Sequence, residues 1–195
     1  MQITRFDIPG LFLLKPKIFR DDRGWFSETF NAETFREALG FVPDFVQDNE
    51  SFSMYENTIR GLHLQLNPYA QAKLVRVLSG AILDVVVDIR KGSPTYLSTV
   101  SVRLDATGMQ QFYIPAGFLH GFRTLEDNTR IAYKVDAHYN AQSDRTIRFD
   151  DPALKCNWDL DGKEKLHLSD KDKDAPPFKS LGDVFQYDDM AGPVT

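Results

Sequence analysis

The sequence contains a single cysteine, Cys156, among its 195 residues. An intrachain disulfide is therefore excluded, and a lone thiol fits a reducing compartment such as the cytoplasm. No apolar run approaches the roughly 18 residues that a membrane-spanning helix needs. No basic segment precedes the short apolar stretch 8–14, so no signal peptide is indicated. We expect a cytoplasmic protein that does not cross a membrane.

Basic residues are also fewer than acidic ones. The 23 Lys and Arg against 28 Asp and Glu give a net charge of −5, which argues against nucleic acid as the main partner. A phosphorylated ligand can still bind where a few cations converge. Hydrophobic residues make up 42% and charged residues 26%, as in ordinary globular proteins. We predict one domain over 1–195, with its core at about 3–177 and a C-terminal tail at about 178–195.

Helix signals are few, and short alternating apolar segments dominate as far as about residue 150. The pair Ser79-Gly80 lies between two of these segments and predicts a hairpin. Many short strands with one or two helices indicate an all-β sandwich or barrel. The segments that the alternation predicts as strands are 12–14, 73–78, 81–89, 99–104, 111–114, 129–135 and 146–149.

One short helix is predicted after Asn31, which can cap its N-terminus, and Gly40 would end it. Phe30 would pack against Phe35 across the cap, and Leu39 would face inward with Phe35. This helix would lie at the periphery of the strands.

The strand over 81–89 carries two carboxylates, Asp84 and Asp88, on one face at period-2 spacing. The opposite face is uniformly apolar. Charge in the middle of so apolar a strand is compatible with two interpretations: the carboxylates line a polar cavity, or they face solvent.

Only four histidines are present, at positions 63, 120, 138 and 167. His63 and His120 stand out because each lies in a glycine-flanked, turn-like context. Arg60 and Lys73 flank His63, which suits a proton-transfer base beside an anionic substrate. The same spacing would suit a ligand cluster of a metal-binding β-barrel, so both interpretations have to be weighed.

The run from Pro115 to His120 resembles the second motif of the cupin superfamily, and the region around His63 resembles the first. Where the first motif would place a second histidine ligand, this sequence has Gln65, and no acidic residue lies between positions 68 and 75. Two histidines fall short of the three protein ligands of a catalytic zinc site. Asp84 could add an oxygen, but a cationic Lys73 would oppose a divalent ion. The residues favour a base over a metal ligand, so we expect no metal.

Eight blocks extend the resemblance: 22–28, 46–51, 60–65, 71–75, 84–90, 114–122, 133–134 and 169–172. In this order, over about residues 3–177, they resemble the dTDP-4-dehydrorhamnose 3,5-epimerase family, metal-free cupins of deoxysugar biosynthesis. The resemblance implies a cupin-type jelly-roll β-barrel with no cofactor. It also implies a nucleotide-sugar substrate and a homodimer with exchanged N-terminal strands.

The implied reaction inverts C3 and C5, the carbons on either side of a 4-keto group, through an enolate. By resemblance His63 is the base, and Asp172 holds and stabilises its imidazole. Tyr133 is the proton donor on the opposite face, and Lys73 lies beside the ketone oxygen. These residue types suit the chemistry, since such a reaction needs a base, an acid and a cation at the oxygen.

The same resemblance assigns nine residues to substrate binding. They are the phosphate-contacting Arg23 and Arg60, the nucleotide-contacting Glu28, Gln47 and Asn49, the further contacts His120 and Lys171, Tyr139 as a candidate for stacking on the base, and Asp144 where the family often has Glu.

Alternatives remain for individual residues and for the function. Ser169-x-x-Asp172 has capping-box spacing, although no apolar helix follows it. Asp84 is the second candidate for the partner of His63, and Tyr133 could be a barrel-lining aromatic. The enzyme could instead invert C3 only or use another nucleotide sugar. More distant alternatives are a metal-dependent cupin and a non-catalytic sugar-binding cupin.

Overall fold

The computed structural model describes residues 1–187. Positions 188–195 of the predicted tail lie outside the described residues. The strands are β1 Gln2–Arg5, β2 Phe12–Lys15, β3 Phe19–Asp21, β4 Gly24–Phe26, β5 Gln47–Ser53, β6 Ile59–Gln65, β7 Lys73–Ser79, β8 Ala81–Asp88, β9 Arg90–Lys91, β10 Thr99–Asp105, β11 Gln111–Ile114, β12 Phe118–Thr124, β13 Thr129–Val135, β14 Asp144–Thr146 and β15 Phe185–Gln186. The helices are α1 Ala32–Leu39, α2 Asp170–Lys173 and a 3-10 turn at Phe178–Ser180.

Most strands form two antiparallel sheets. The six-stranded sheet has the order β1-β2-β11-β7-β13-β5, and the five-stranded sheet has the order β10-β8-β12-β6-β14. One buried cluster takes Val75, Phe112 and Ile131 from the first sheet and Val86 and Leu104 from the second, each at most 1% exposed. Two sheets that bury their facing residues in this way form the strand-rich jelly roll of the cupins, which confirms the predicted fold class.

Eight of the fifteen described strands were not predicted from the sequence, and three of these, β5, β6 and β12, are seven residues long. In β5 the alternation is masked because polar residues occupy both faces. In β6 and β12 glycines interrupt the apolar pattern, and these segments were expected to be turn-like. Gly61 of β6 has φ +133°, and a Cβ there would lie 2.5 Å from the Cα of Gly121 in β12. Both glycines therefore permit a close approach of two paired strands at a β-bulge, rather than ending them.

The predicted hairpin at Ser79-Gly80 is wrong. Gly80 makes a turn with φ +75°, but β7 and β8 belong to different sheets and are not paired. The turn takes the chain from one sheet to the other. The last predicted strand also shifts, from 146–149 to Asp144–Thr146.

Helix α1 follows the prediction. The side chain of Asn31 accepts hydrogen bonds from the backbone N–H groups of residues 33 and 34 at 3.0 and 3.2 Å, and Gly40 ends the helix with φ +83°. The rings of Phe30 and Phe35 lie 5.5 Å apart, and Phe35 and Leu39 are buried. The helix thus packs on one face of the six-stranded sheet, against Phe12, Leu74 and Tyr113.

The two carboxylates of β8 are both fully buried, so the solvent interpretation is wrong. They serve different purposes. Asp88 is neutralised by Arg90, whose Nε and Nη2 each donate to it at 2.9 Å. Asp84 lies 3.0 Å from His120, and of the two carboxylates only Asp84 belongs to the candidate active site described below.

The C-terminal segment returns to the five-stranded sheet. The backbone N–H of Ile59 donates to the carbonyl of His167 at 3.0 Å, and Thr58 forms a parallel bridge with His167. This anchor delivers α2 to the side of β6. Within residues 1–187, no helix has the length and apolar character that crossing a membrane would require.

Candidate active site

His63 and Asp172 form a close pair at the centre of the site. Strand β6 presents His63, and its Nε2 lies 2.7 Å from Oδ1 of Asp172 in α2. The imidazole is about one-third exposed (32%), whereas the carboxylate is almost completely buried (4%). Burial alone would raise the pKa of Asp172, but hydrogen bonds from His63 and Ser169 hold it below its ordinary value. The arrangement therefore keeps a carboxylate anion behind a solvent-accessible imidazole.

The sequence disfavoured a capping box at Ser169, and the structure forms one half of it: the serine caps the helix, but among the described contacts Asp172 does not accept from the backbone N–H of Ser169. Ser169 caps α2, and its Oγ accepts from the backbone N–H of Asp172 at 3.2 Å. The same hydroxyl donates to Oδ2 of Asp172 at 2.7 Å. A single turn of helix suffices because it is anchored against β6 rather than stabilised by an apolar face. The cap at Ser169 and the pairing of Asp172 with His63 are thus compatible.

Asp84 is paired with His120, so its candidacy as the partner of His63 is wrong. Oδ2 of Asp84 lies 3.0 Å from Nε2 of His120, and His120 is directly opposite His63 in the register of β12 and β6. Nδ1 of His120 lies 3.5 Å from Nζ of Lys73. Because the carboxylate accepts from Nε2–H, Nδ1 presents its lone pair to the ammonium group. This chain joins the five-stranded sheet to β7 of the six-stranded sheet.

Lys73 and His120 have perturbed acidities. Burial lowers the pKa of Lys73 to about 8, although the charges of Asp84 and Asp144 act to raise it. Burial also lowers the pKa of His120, which Asp84 partly opposes. At neutral pH the site therefore contains a cationic lysine supported by a neutral histidine.

Tyr133 belongs to β13 of the six-stranded sheet, opposite Asn49 of β5 and Val75 of β7. It packs against the core cluster but keeps part of its surface exposed, so it lines the barrel without being sealed in it. Burial raises the pKa of its phenol, and the nearby charge of Arg60 partly opposes this. The phenol is therefore protonated at neutral pH and available as a donor.

A polar rim surrounds these groups. Gln47 donates to the Oδ1 of Asn49 at 2.7 Å and accepts from the backbone N–H of Tyr139 at 3.2 Å. Tyr139 is largely exposed, and its hydroxyl lies 3.5 Å from Asp144, which also binds Nζ of Lys171. Five predicted binding residues thus form one connected chain of contacts.

Arg60 lies beside this chain on β6. Its Nε donates to Oγ of Ser53 at 3.2 Å, and its Nη2 donates to the carbonyl of Phe52 at 3.0 Å. In the part of the chain that the structure describes, the guanidinium is held by neutral groups and is not paired with a carboxylate. It can therefore meet an anionic ligand.

Two predicted binding residues are not brought into the cluster. The side chain of Arg23 is 90% exposed in the turn between β3 and β4, and it is paired with Asp21 at 2.6 Å. Glu28 accepts from the side chain of Asn31 at 3.0 Å. Among the contacts of residues 1–187, none joins either side chain to the His63 pair.

Gln65 was overlooked as a positioning residue because it was considered only as a missing metal ligand. It is buried, and its amide donates to the carbonyls of Tyr69 and His138 at 2.7 and 3.2 Å. Its oxygen accepts from the backbone N–H of Asn140 at 2.6 Å. These bonds fix both sides of the loop that carries Tyr139. This role follows from strand register, which pairs Gln65 with Asp144 next to the loop and is a property of the fold rather than of the local sequence.

The residues present do not assemble a metal cluster. His63 and His120 each direct Nε2 to a carboxylate, and the amide of Gln65 is occupied by the loop. Within the described part of the chain, no group of three or more His, Cys, Asp or Glu side chains could hold a metal ion.

The fold is that of a cupin, and comparison with known proteins gives its class as an epimerase. The family model described as dTDP-4-dehydrorhamnose 3,5-epimerase matches residues 5–180. A relative of that name from Sinorhizobium fredii is 46% identical over 187 residues, covering 96% of this chain and 94% of its own. The chain therefore belongs to the dTDP-4-dehydrorhamnose 3,5-epimerase family.

Solved structures agree. The dTDP-6-deoxy-D-glucose-3,5-epimerase of Legionella pneumophila, in complex with dTDP-4-keto-L-rhamnose, matches with a TM-score of 0.89 and 40% identity, over 96% of this chain and 98% of that one. The 3'-monoepimerase ChmJ of Streptomyces bikiniensis, in complex with dTDP-quinovose, matches with a TM-score of 0.84 and 32% identity, over 93% and 92%. The chain is thus similar to enzymes that differ in how many carbons they invert.

Proposed function

We propose that the enzyme inverts C3 and C5 of dTDP-4-dehydro-6-deoxy-D-glucose and so produces dTDP-4-dehydro-L-rhamnose. One observation supports this proposal above the others: the site contains an imidazole paired with a carboxylate, His63 with Asp172, together with the protonated phenol of Tyr133 and the cationic Lys73. The imidazole and the phenol can exchange protons with carbon, and the lysine can hold the charge that the exchange creates.

The proposed steps begin at the carbon beside the ketone. His63 takes the C–H proton, and Asp172 stabilises the imidazolium through the 2.7 Å contact. The electron pair moves onto the ketone oxygen, where the Lys73 ammonium stabilises the enolate. Tyr133 returns a proton to the opposite face of the carbon. Only protons move and no net oxidation occurs, so the chemistry needs no cofactor.

Substrate recognition follows from the polar rim. We infer that Arg60 contacts the diphosphate, since no carboxylate among residues 1–187 is paired with its guanidinium, and a guanidinium suits phosphate oxygens. The exposed ring of Tyr139 can stack on the base, and Gln47 and Asn49 offer amide groups to it. His120, Asp144 and Lys171 complete the sugar side of the site.

Arg23 and Glu28 require a second subunit in this proposal. The hairpin of β3 and β4 exposes Phe19, Trp25 and Phe26 by 50, 56 and 64%, an apolar surface that favours burial against another chain. We propose a homodimer in which this N-terminal region reaches the site of the partner subunit. Light scattering should give a dimer mass, and a monomer that is fully active would contradict this part.

A cytoplasmic location, supported by the single thiol, completes the proposal.

Turnover in D₂O tests the reaction. Incubation with dTDP-4-dehydro-6-deoxy-D-glucose should place deuterium at both C3 and C5, and no incorporation at either carbon would refute the proposal. Binding without turnover would instead indicate a sugar-binding protein.

A second candidate function is inversion of C3 alone. The similarity to the 3'-monoepimerase ChmJ supports it, because that enzyme shares the fold. Following the two carbons separately by NMR distinguishes the candidates, and deuterium at C3 only would favour the second. A panel of dTDP-, GDP- and CDP-linked 4-ketosugars tests the nucleotide.

A further inference from the structure

Ser169 contacts the carboxylate of Asp172 on the side away from His63 and makes no direct contact with the imidazole. Its Oγ lies 2.7 Å from Oδ2 of Asp172, while Oδ1 of the same carboxylate lies 2.7 Å from Nε2 of His63. The hydroxyl also accepts from the backbone N–H of Asp172 at 3.2 Å. Three groups therefore form one chain, His63–Asp172–Ser169.

The donor and acceptor roles in this chain are determined. The serine oxygen accepts from the backbone N–H of Asp172, and its own proton is donated to Oδ2; the backbone N–H of Gly61 also donates to this carboxylate. The carboxylate is almost completely buried and cannot rely on water to satisfy both oxygens. With Oδ2 fixed by Ser169, Oδ1 is the oxygen left for the imidazole.

We propose that Ser169 is a positioning residue that orients the Asp172 carboxylate and thereby holds the imidazole of His63 in place for proton transfer. The proposal deepens the proposed epimerase function and rests on it. The serine acts on the reaction only through Asp172.

The effect on the reaction follows from orientation. Without the hydroxyl, Oδ2 loses its side-chain donor, and the carboxylate is less firmly held with Oδ1 toward Nε2 of His63. The imidazole is then positioned less well for taking a proton from carbon, while its contact with Asp172 remains possible.

The test compares Ser169→Ala with Ser169→Thr, which keeps the hydroxyl. A matched control is Ser180→Ala, because the Oγ of Ser180 also makes a 2.7 Å hydrogen bond, to the carbonyl of Pro177, in the same C-terminal segment. Steady-state kinetics with dTDP-4-dehydro-6-deoxy-D-glucose would be measured from pH 5.5 to 8, with deuterium incorporation from D₂O as the readout.

We expect Ser169→Ala to lower kcat by about tenfold with KM changed less than twofold, consistent with the loss of one hydrogen bond to a charged group. Ser169→Thr should restore kcat, and Ser180→Ala should behave like the parent. An Ala variant with the parental kcat would overturn the proposal, as would a Thr variant as slow as Ala. A parent protein that exchanges no deuterium would refute the epimerase function instead.

Discussion

The ionisation of Lys73 should limit the reaction on the alkaline side. Its pKa is lowered to about 8 by burial, so the ammonium proposed to stabilise the enolate is lost within the accessible pH range. The protonated fraction falls from about nine-tenths at pH 7 to about one-tenth at pH 9, so kcat/KM should fall about tenfold between these values. Tyr133 does not cause this limb, because burial raises its pKa above its ordinary value.

The matching variant is Lys73→Arg, since a guanidinium stays charged throughout this range. We expect it to be slower than the parent at pH 7, because a planar fork cannot reproduce the position of a compact ammonium. Its kcat/KM should nevertheless stay flat from pH 7 to 9. The assay is deuterium incorporation at C3 and C5 at low substrate concentration, with His63→Ala measured at each pH to subtract spontaneous exchange.

The ionisation of Lys73 cannot cause the alkaline fall in kcat/KM by unfolding the protein. The folded pKa of about 8 lies below the ordinary lysine value of 10.5, so the unfolded chain binds more protons between these values. The contribution of Lys73 to the free energy of unfolding therefore rises with pH above about 8, while activity falls. A parental profile that is flat through pH 9, or an Arg variant with the same limb as the parent, would refute the role given to Lys73.

Three further perturbations test other parts of the site. Tyr133→Phe should retain deuterium exchange at the abstracted carbon but slow net inversion by roughly 10²-fold or more, as expected for loss of a proton donor; parental inversion rates measured by NMR would exclude the phenol. Gly61→Ala should unfold well below the parent in thermal melts, because its Cβ would meet Gly121 at 2.5 Å and φ is +133°; an unchanged melting temperature would contradict the close approach. Gln65→Leu should raise KM several-fold with a smaller change in kcat, since it frees the loop carrying Tyr139; an unchanged KM would show that the loop is ordered by other contacts.

Much of the strand pattern and the one regular helix could be predicted from local signals. The strand at Thr129–Val135 follows apolar alternation, and α1 follows its cap at Asn31 and its end at Gly40. Strands β6 and β12 could not be predicted, because glycine normally weakens a strand. Here the glycines instead allow two neighbouring strands to approach closely. The predicted hairpin between β7 and β8 was wrong for a related reason. A turn residue alone does not show whether the two strands that it connects pair with each other.

The site divides in the same way. The residue types needed for proton transfer are visible in the sequence, and the family resemblance supplied their proposed roles. The choice between Asp84 and Asp172 as the partner of His63 depends on strand register and on the anchoring of the C-terminal segment, which are properties of the fold. The N-cap at Ser169 had little support from the sequence because α2 has no apolar face of its own. Contact with β6 stabilises this helix instead.

The proposed role of His63 as the carbon base is tested most directly by His63→Ala in D₂O. Deuterium would be followed separately at C3 and C5 of dTDP-4-dehydro-6-deoxy-D-glucose, with circular dichroism and thermal melting to verify the fold. We predict incorporation at both carbons for the parent and none above the spontaneous rate for the folded variant. Enzyme-dependent exchange at either carbon in the variant would contradict the assignment of His63 as the base.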